Sequence, residues 1–195
     1  MFQIIVDSLR REGVAAESLS AILEFGCGCG RVLRHWHSIK GPRLYGVDYN
    51  QRLVGWCREN LRLADCAANH LYPPLPYDNG MFDCIYAISV FTHLSAELQD
   101  LWMKELRRIV RPGGHLLITT HGESFRARLS AQQRQDFVAG RVVVRYDEAS
   151  GMNICTAYHP ESYVRGRFSA GFSVQRIPAD TYSALHQDLH LLKKH

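Results

Sequence analysis

One stretch near the start of the chain constrains its fold more than any other. Residues 22–31 read Ile-Leu-Glu-Phe-Gly-Cys-Gly-Cys-Gly-Arg, an apolar run with one acidic residue that leads into a loop with glycine at every second position. A second short apolar run, 44–48, ends at Asp48. This pattern predicts a buried strand, a tight turn into a helix, and a second parallel strand whose tip carries a carboxylate.

The glycines and the carboxylate together indicate a ligand site. Glycine lets the backbone approach a ligand closely, and a helix N-terminus behind such a loop directs free N–H groups at an anionic part of it. A carboxylate at the tip of the neighbouring strand can accept hydrogen bonds from both hydroxyls of a ribose. The sequence therefore predicts a cofactor that contains adenosine.

Two residues separate the candidate cofactors. The nicotinamide fingerprint needs a third glycine where this chain has Arg31. Glu24, two residues before Gly26, would repel a pyrophosphate but could help to hold the ammonium group of a methionine moiety, directly or through water. Arg31 itself could reach the cofactor carboxylate or a substrate anion, or could be an ordinary surface arginine. These residues favour a methionine-containing cofactor over NAD.

Four features, in order along the chain, resemble the class I S-adenosyl-L-methionine-dependent methyltransferases. The glycine loop resembles the family's first motif, and Asp48 matches its ribose-binding acid. Segments 75–83 (Leu-Pro-Tyr-Asp-Asn-Gly-Met-Phe-Asp), 88–94 (Ile-Ser-Val-Phe-Thr-His-Leu) and 111–114 (Arg-Pro-Gly-Gly) are similar to its patterns around the fourth and fifth strands. The resemblance implies S-adenosyl-L-methionine as cofactor and S-adenosyl-L-homocysteine as its product. The 88–94 segment is similar to a bacterial subset, type 11/12-like, that modifies small molecules or glycans.

The family resemblance also implies a fold. It predicts an α/β, Rossmann-like, doubly wound sheet of seven strands in the order 3-2-1-4-5-7-6, with the last strand antiparallel. We expect one domain, residues 1–195, with only a short N-terminal helix in residues 1–20. Residues 140–159 read as a β-hairpin inserted after the fifth strand. The apolar spacing further predicts a helix from Arg31 to just before Gly41, and another over 125–138.

Composition fits a small soluble enzyme. The 195 residues are 46% hydrophobic and 22% charged, with no apolar run of membrane-spanning length. The net charge of +4 is mild, and without a Lys/Arg block there is no clear nucleic-acid patch. The six cysteines show no C-x-x-C pairing, which predicts free thiols and no metal site. Free thiols and the absence of a signal-peptide pattern lead us to expect a cytoplasmic protein.

The resemblance assigns the cofactor site to the carboxyl ends of the strands. Backbone atoms of Gly26, Cys27 and Gly28 are expected at the methionine part of the cofactor. Ile88 and Ser89, at the end of the fourth strand, are expected beside the sulfonium group.

The adenine part of the cofactor is expected farther along the same edge. Tyr49 can lie against the adenine face, although a half-buried structural tyrosine is the alternative. Asn69 and His70 follow the third strand, where relatives contact the adenine edge. Their spacing to Leu75 is longer than in many relatives, so the contacting residue is left open between the two.

His93 is the side chain that most suggests catalysis. It follows the fourth strand, and its ordinary pKa near neutrality suits a base that removes a proton from the methyl acceptor. Alternatively, His93 orders the turn between Thr92 and Ser95. His121, at the end of the fifth strand, is a second candidate.

The acceptor itself is not encoded in these motifs. We expect methyl transfer to an oxygen or nitrogen of a small molecule or glycan, and the alternative is a non-catalytic protein that binds S-adenosylmethionine or S-adenosylhomocysteine with a degenerate lid. Because few residues precede the first strand, the hairpin at 146–158 or a second subunit of a homo-oligomer would have to close the site.

Overall fold

The computed structural model of the protein describes residues 1–181 and 186–195, apart from the side chain of Asp180. Within those ranges the chain alternates strands and helices. The strands are β1 (Ala21–Phe25), β2 (Arg43–Asp48), β3 (Ala64–Ala68), β4 (Phe82–Ala87), β5 (Val110–Thr120), β6 (Val143–Arg145), β7 (Thr156–Tyr158), β8 (Phe172–Ile177) and β9 (Asp188–Lys194). The α-helices are α1 (Phe2–Arg11), α2 (Gln51–Asn60), α3 (Ala96–Ile109), α4 (Ala131–Val138) and α5 (Glu161–Arg167).

Seven strands form one sheet in the order β3-β2-β1-β4-β5-β9-β8. The pairs from β3 across to β5 are parallel, whereas β9 runs antiparallel to both of its neighbours. The predicted Rossmann-like α/β sheet is therefore confirmed, including the antiparallel last strand. β6 and β7 pair separately as an antiparallel hairpin, which confirms the insertion after β5.

Side-chain caps fix the start of the two helices that follow β2 and β4. The Asn50 side chain accepts hydrogen bonds from the first backbone N–H groups of α2, and the Ser95 hydroxyl accepts one from α3. Such caps satisfy N–H groups that the helix itself leaves unpaired. Asparagine and serine are among the residues that most favour this position. Among the helices of the described ranges, none is both long and apolar enough to cross a membrane.

The α-helix predicted from Arg31 does not form. The segment is instead a 3-10 helix, Leu33–Ser38. Its apolar side chains Leu33, Trp36 and Ile39 recur at every third residue, which matches the three residues per turn of a 3-10 helix. Leu33 and Trp36 are fully buried. The prediction was wrong because it assumed a period of 3.6 where the burial pattern has a period of three.

The helix predicted over 125–138 is in fact divided. A 3-10 helix, Glu123–Arg128, comes first, and α4 then starts afresh behind Ser130. The Ser130 hydroxyl accepts from the Gln133 N–H, and the Gln133 side chain accepts from the Ser130 N–H. This reciprocal capping box ends the first segment, because it begins a new helix at the middle of the predicted one.

The sheet separates two apolar layers. One face packs against α3 and α5, and its fully buried side chains include Phe91, Trp102 and Phe168. The other face packs against α1, the first 3-10 helix and α2, and includes Ile5, Trp36 and Cys57. Because β1 to β5 are parallel, their carboxyl ends meet at one edge of the sheet.

The opposite, amino-terminal edge is fastened by Asp83. Its carboxylate accepts the backbone N–H groups of Ser20 and Ala21, both at 2.8 Å, and pairs with the Arg111 guanidinium at 2.7 Å. One side chain therefore joins β4, the start of β1 and the turn within β5. Two of the recognised segments, 75–83 and 111–114, meet here and have a structural role.

Three histidines are buried beyond the end of β5. Burial lowers the pKa of His121 to about 4, that of His159 to about 3 and that of His190 to about 4. Neither ring nitrogen of His159 has a hydrogen-bond partner among the described residues. Its ring lies beside Tyr163 and Phe168, with centroids 6.0 and 6.4 Å away. His159 therefore occupies an apolar position as a neutral ring.

We expect acid to destabilise the fold through these histidines. Their pKa is lower in the folded than in the unfolded protein. Their contribution to the free energy of unfolding is therefore complete above about pH 6.5 and is lost as the pH falls. The loss at pH 5 is about 2 kcal/mol for each residue. His159→Phe removes one titrating group. When the pH is lowered from 7.5 to 5, the free energy of unfolding of this variant should therefore fall by about 2 kcal/mol less than that of the parent protein. Urea unfolding at both pH values measures this.

The control is His37→Phe, which changes an exposed histidine. It should keep the pH dependence of the parent protein. If His159→Phe also keeps it, His159 is not neutral in the folded state.

Candidate cofactor and acceptor site

The glycine loop is held to the end of β2 by its backbone. Gly26 and Cys27 both donate their N–H groups to the carbonyl oxygen of Val47, at 2.8 and 3.0 Å. Gly26 has a φ of +78°, and a Cβ atom there would lie 2.3 Å from a methyl carbon of Val90. Only glycine fits this conformation and this space. The Cys27 side chain is buried beneath the loop.

Gly28 and Asp48 form the centre of the loop. The Gly28 N–H donates to Asp48 Oδ2 and the Asn50 N–H to Asp48 Oδ1, each at 2.7 Å. A Cβ atom on Gly28 would meet only the Leu53 side chain, at 3.9 Å, so the space over Gly28 is open. A carboxylate can accept about four hydrogen bonds, so Asp48 keeps acceptor capacity for a ligand.

Glu24 lies in β1 next to its last residue, and its side chain is buried. Its carboxyl group accepts a hydrogen bond from the Tyr86 hydroxyl at 3.2 Å, and that hydroxyl accepts one from Trp36 Nε1 at 2.9 Å. Burial raises the pKa of Glu24 to about 8, and the nearby Asp48 carboxylate adds to this increase. Glu24 is therefore mostly protonated at neutral pH in this structure.

The side chains beyond β3 provide an acceptor for a ligand's N–H group. β3 ends at Ala68, so Asn69 lies just past the strand, and its backbone N–H donates to the Asp48 carbonyl at 3.1 Å. The Asn69 amide nitrogen donates to the His70 carbonyl, while its Oδ1 is buried with no hydrogen-bond partner among the residues that the structure describes. An adenine amino group is a donor of the kind that Oδ1 lacks. Tyr49, which follows Asp48 directly in the chain, is 46% exposed, so its side chain is accessible to an adenine ring.

The open loop over Gly28, the Asp48 carboxylate and the unpaired Asn69 oxygen therefore fit an adenosine-containing group. All six cysteines are free. No cluster of three or more His, Cys, Asp or Glu side chains within residues 1–181 and 186–195 could hold a metal ion.

A cavity of about 760 Å³ adjoins the end of β4. It is bordered by residues from five separate segments, namely the start of α1, the stretch after the glycine loop, the end of β4, the segment after β5 and the segment before β9. Ile88, Ser89 and Arg31, all predicted site residues, lie on its wall. The remaining lining residues are Met1, Phe2, Gln3, Val32, His35, Phe125, Arg128, His186 and Gln187.

Ser89 and His121 are joined across the cavity wall by Gln187. Ser89 adopts a φ of +57°, and its hydroxyl donates to Gln187 Oε1 at 3.1 Å. The Gln187 amide nitrogen lies 3.3 Å from His121 Nε2, and His121 Nδ1 lies 3.2 Å from the Ala157 carbonyl oxygen. Since a carbonyl only accepts, Nδ1 carries the proton and Nε2 accepts from Gln187. Both ring nitrogens of His121 thus have partners.

His93 contacts the inserted hairpin rather than the cavity. Its Nδ1 lies 2.7 Å from the Cys155 carbonyl oxygen, and its own carbonyl accepts the Gly151 N–H at 2.7 Å. Ser150 Oγ accepts the Ser95 N–H at 2.7 Å. The hairpin is therefore attached to the turn between β4 and α3. This geometry favours the ordering role for His93, and its role as a base stays a prediction.

The sequence reasoning missed the cavity residues that come from after β5. Phe125, Arg128 and Gln187 carry no motif, and they approach Ser89 only because β5 and β9 lie next to β4 and β5 in the sheet. Only the sheet order could have pointed to them.

Comparison with known proteins agrees with the fold and indicates the family. The family model described as "Methyltransferase domain" matches residues 23–118, which include the glycine loop, Asp48, Asn69 and Ser89. The chain belongs to the class I S-adenosylmethionine-dependent methyltransferases. S-adenosylmethionine is the cofactor of that family, so the adenosine-containing group expected at the glycine loop is this molecule.

Individual relatives are distant from this methyltransferase. The chain is 29% identical over 114 residues to a malonyl-[acyl-carrier protein] O-methyltransferase from Erwinia pyrifoliae, covering 58% of this chain and 42% of that one. It spans about half the length of the curated relatives it matches. A Mesorhizobium loti S-adenosylmethionine-dependent methyltransferase superimposes with a TM-score of 0.73 over 96% of each chain, at 15% identity. The N-methyltransferase NodS from Bradyrhizobium japonicum gives 0.64 over 98% and 95%, at 17%. At such identities these two structures support the fold alone.

Substitution of Gly28 tests where the cofactor lies. In Gly28→Val the new side chain would project into open space from a backbone with a positive φ, +55°, and the cofactor could no longer approach the backbone. We expect S-adenosylhomocysteine binding to be lost in calorimetry.

Gly13→Val is the matched control, because Gly13 also has a positive φ, +75°, and open space around it. It carries the same backbone strain at a place remote from the glycine loop in sequence. Equal binding by Gly28→Val and Gly13→Val would mean that the cofactor lies elsewhere.

Glu24→Gln tests the buried carboxyl group. The folded-state pKa of Glu24 is about 8, above its ordinary value, so its stabilising effect is complete below about pH 4.5 and is lost as the pH rises towards 8. Glutamine has no such dependence. Compared with the parent protein, the variant should therefore gain roughly 2–4 kcal/mol in free energy of unfolding when the pH is raised from 4.5 to 8. Urea unfolding at the two pH values measures the gain. An identical pH dependence in both proteins would contradict the buried, protonated state.

Proposed function

We propose that this chain transfers a methyl group from S-adenosylmethionine to an oxygen or nitrogen of a small-molecule or glycan acceptor. The observation that carries the proposal is that the glycine loop, joined to Asp48 through Gly28, continues into Arg31 on the wall of a cavity at Ser89. A cofactor on the loop would have its sulfonium at the cavity, where an acceptor has room. Residues 1–195 act in this proposal as one methyltransferase domain with a hairpin insertion, in the cytoplasm.

The proposed cofactor contacts follow the order of the strands. The loop and the end of β1 serve the methionine moiety, the tip of β2 the ribose, the segment after β3 the adenine, and the end of β4 the sulfonium. The residues are, in that order, Glu24, Gly26, Cys27, Gly28 and Arg31, then Asp48, then Tyr49, Asn69 and His70, then Ile88 and Ser89.

The reaction asks little covalent chemistry of the protein. The bound cofactor supplies an activated methyl group on a positive sulfur. The chain has to align the acceptor with that methyl group and to exclude water from the cavity. The positive φ of Ser89 turns the chain away at the end of β4, which leaves this edge open to both partners.

The alternative is a protein that binds S-adenosylmethionine or S-adenosylhomocysteine without catalysis. Both ring nitrogens of His121 have partners and His93 does not line the cavity, which favours it for any acceptor that must lose a proton. The start of α1 borders the cavity and covers part of it, so the short N-terminal helix still serves as a wall.

Two experiments test the proposal. Calorimetry with S-adenosylmethionine, S-adenosylhomocysteine and NAD should show binding of the first two only. A screen of candidate acceptors with [methyl-³H]S-adenosylmethionine should then find a labelled product. Failure to bind S-adenosylhomocysteine would overturn the proposal, whereas binding without transfer to any acceptor would favour the non-catalytic alternative.

His93→Ala separates the two roles of that residue. Since its Nδ1 bonds to the inserted hairpin, we expect a lower melting temperature and a methyl-transfer rate in the folded fraction within about tenfold of the parent. A general base would instead cost about 10²–10⁴-fold in rate at unchanged cofactor affinity. A rate loss of that size in folded protein would restore the catalytic assignment.

A further inference from the structure

The charge around the cavity at Ser89 is of one sign. Two guanidinium groups, of Arg31 and Arg128, and two imidazoles, of His35 and His186, are on its wall. No aspartate or glutamate of the described residues lines it. The rest of the wall includes the apolar side chains of Phe2, Val32, Ile88 and Phe125. Such a cavity suits an anionic group on an apolar body and disfavours an amine, which is cationic at neutral pH.

The two arginines lie on opposite sides of the methyl-transfer position. Arg31 follows β1 and Arg128 follows β5, and these strands flank β4, which ends beside Ser89. Arg31 is the cation nearest in sequence to the glycine loop, so we assign it to the cofactor's carboxylate. Arg128 is then left for the second ligand.

The exposed guanidinium of Arg128 packs against an aromatic ring but has no anionic partner among the described residues. Its guanidinium carbon lies 4.7 Å from the centroid of the Phe125 ring, and its backbone carbonyl accepts a hydrogen bond from Arg145 at 2.8 Å. No carboxylate within the described ranges forms an ion pair with it. A guanidinium placed in this way can bind a carboxylate through two parallel N–H···O bonds.

The state of the nearby histidines points to the same kind of acceptor. His121 Nε2 already accepts from Gln187, and His93 Nδ1 is bonded to the Cys155 carbonyl. His121 would have to give up its bond from Gln187 to take a proton from an alcohol, and His93 does not line the cavity. A carboxylate is already ionised at neutral pH and needs no base.

We propose that the methyl acceptor is a carboxylic acid with an apolar body, whose carboxylate binds Arg128 and becomes a methyl ester. The inference rests on the proposed function and specifies its substrate class. One carboxylate oxygen forms a bond to the methyl carbon, and the carbon–sulfur bond breaks with its electron pair going to sulfur. The positive charge of the sulfonium and the negative charge of the carboxylate cancel, so neutral thioether and ester form without transfer of a proton.

The test compares probes that share an apolar body and have an anionic, a neutral or a cationic head group. Phenylacetate and hexanoate are incubated with the protein and [methyl-³H]S-adenosylmethionine, alongside phenylacetamide, hexanamide, phenethylamine and hexylamine. Methyl esters are recognised because mild alkali releases their label as volatile methanol. Calorimetry on protein saturated with S-adenosylhomocysteine measures the binding of each probe independently of turnover. We expect both acids to bind and to be labelled at least about tenfold better than their amides.

A matched pair of arginine variants locates the carboxylate site. Arg128→Gln should raise the Kd of the acids about tenfold or more, with the Kd for S-adenosylhomocysteine within about twofold of the parent. Arg134→Gln removes the same charge from α4, away from the lining of this cavity, and should change neither constant.

The outcomes separate the two proposals. If S-adenosylhomocysteine does not bind, the proposed function fails and this inference fails with it. If S-adenosylhomocysteine binds but the acids bind no better than their amides, or an amine or amide is the preferred acceptor, the methyltransferase assignment stands and the carboxylate is overturned. Equal effects of Arg128→Gln and Arg134→Gln would also overturn it.

Discussion

The hydrogen bond from the Gly28 N–H to the Asp48 carboxylate joins the two strand tips on which the candidate site is built. A second bond, from the Asn50 N–H to the other carboxylate oxygen, connects the same side chain to the cap of α2. Asp48 therefore holds the glycine loop, ends β2 and positions the start of a helix at once. If this contact were lost, the loop would lose the fixed surface that a cofactor needs.

The site also includes a feature that opposes stability. Glu24 is buried with only hydroxyl and backbone donors near it, and its raised pKa means that folding keeps a proton on it at neutral pH. An amide would serve the fold better at that place. A carboxyl group that can ionise beneath the glycine loop is useful, however, when the ligand brings a positive charge, because the two charges then stabilise each other. This pattern, a local cost in stability at a binding site, is common in enzymes.

Much of the sheet could be predicted because its signals are local. The apolar runs before the glycine loop and before Asp48 form β1 and β2, and the caps at Asn50 and Ser95 are short-range chemistry. The two helix errors have the same origin. Amphipathic spacing alone does not tell a 3-10 helix from an α-helix after the glycine loop, and a capping box at Ser130 interrupts a run that otherwise looks continuous.

The residues of the candidate site likewise fall into those that local sequence signals could predict and those that they could not. The glycine loop and Asp48 are adjacent in sequence to the strands that place them, so their meeting could be predicted. Arg128 and Gln187 reach the cavity through strand order, and no residue spacing encodes that. The contact between His93 and the hairpin depends on an insertion with a course of its own, which is why the sequence left its role open between base and turn.

The most direct measurement is the affinity of the Asp48→Ala protein for S-adenosylhomocysteine, determined by calorimetry beside Asp65→Ala, which removes an exposed carboxylate from the neighbouring strand. If Asp48 binds the ribose and holds the loop, Asp48→Ala should weaken binding by ~1.5–3 kcal/mol, the range for hydrogen bonds to a charged group, and Asp65→Ala should not. Unchanged affinity in a folded Asp48→Ala protein would contradict the placement of the cofactor on this loop.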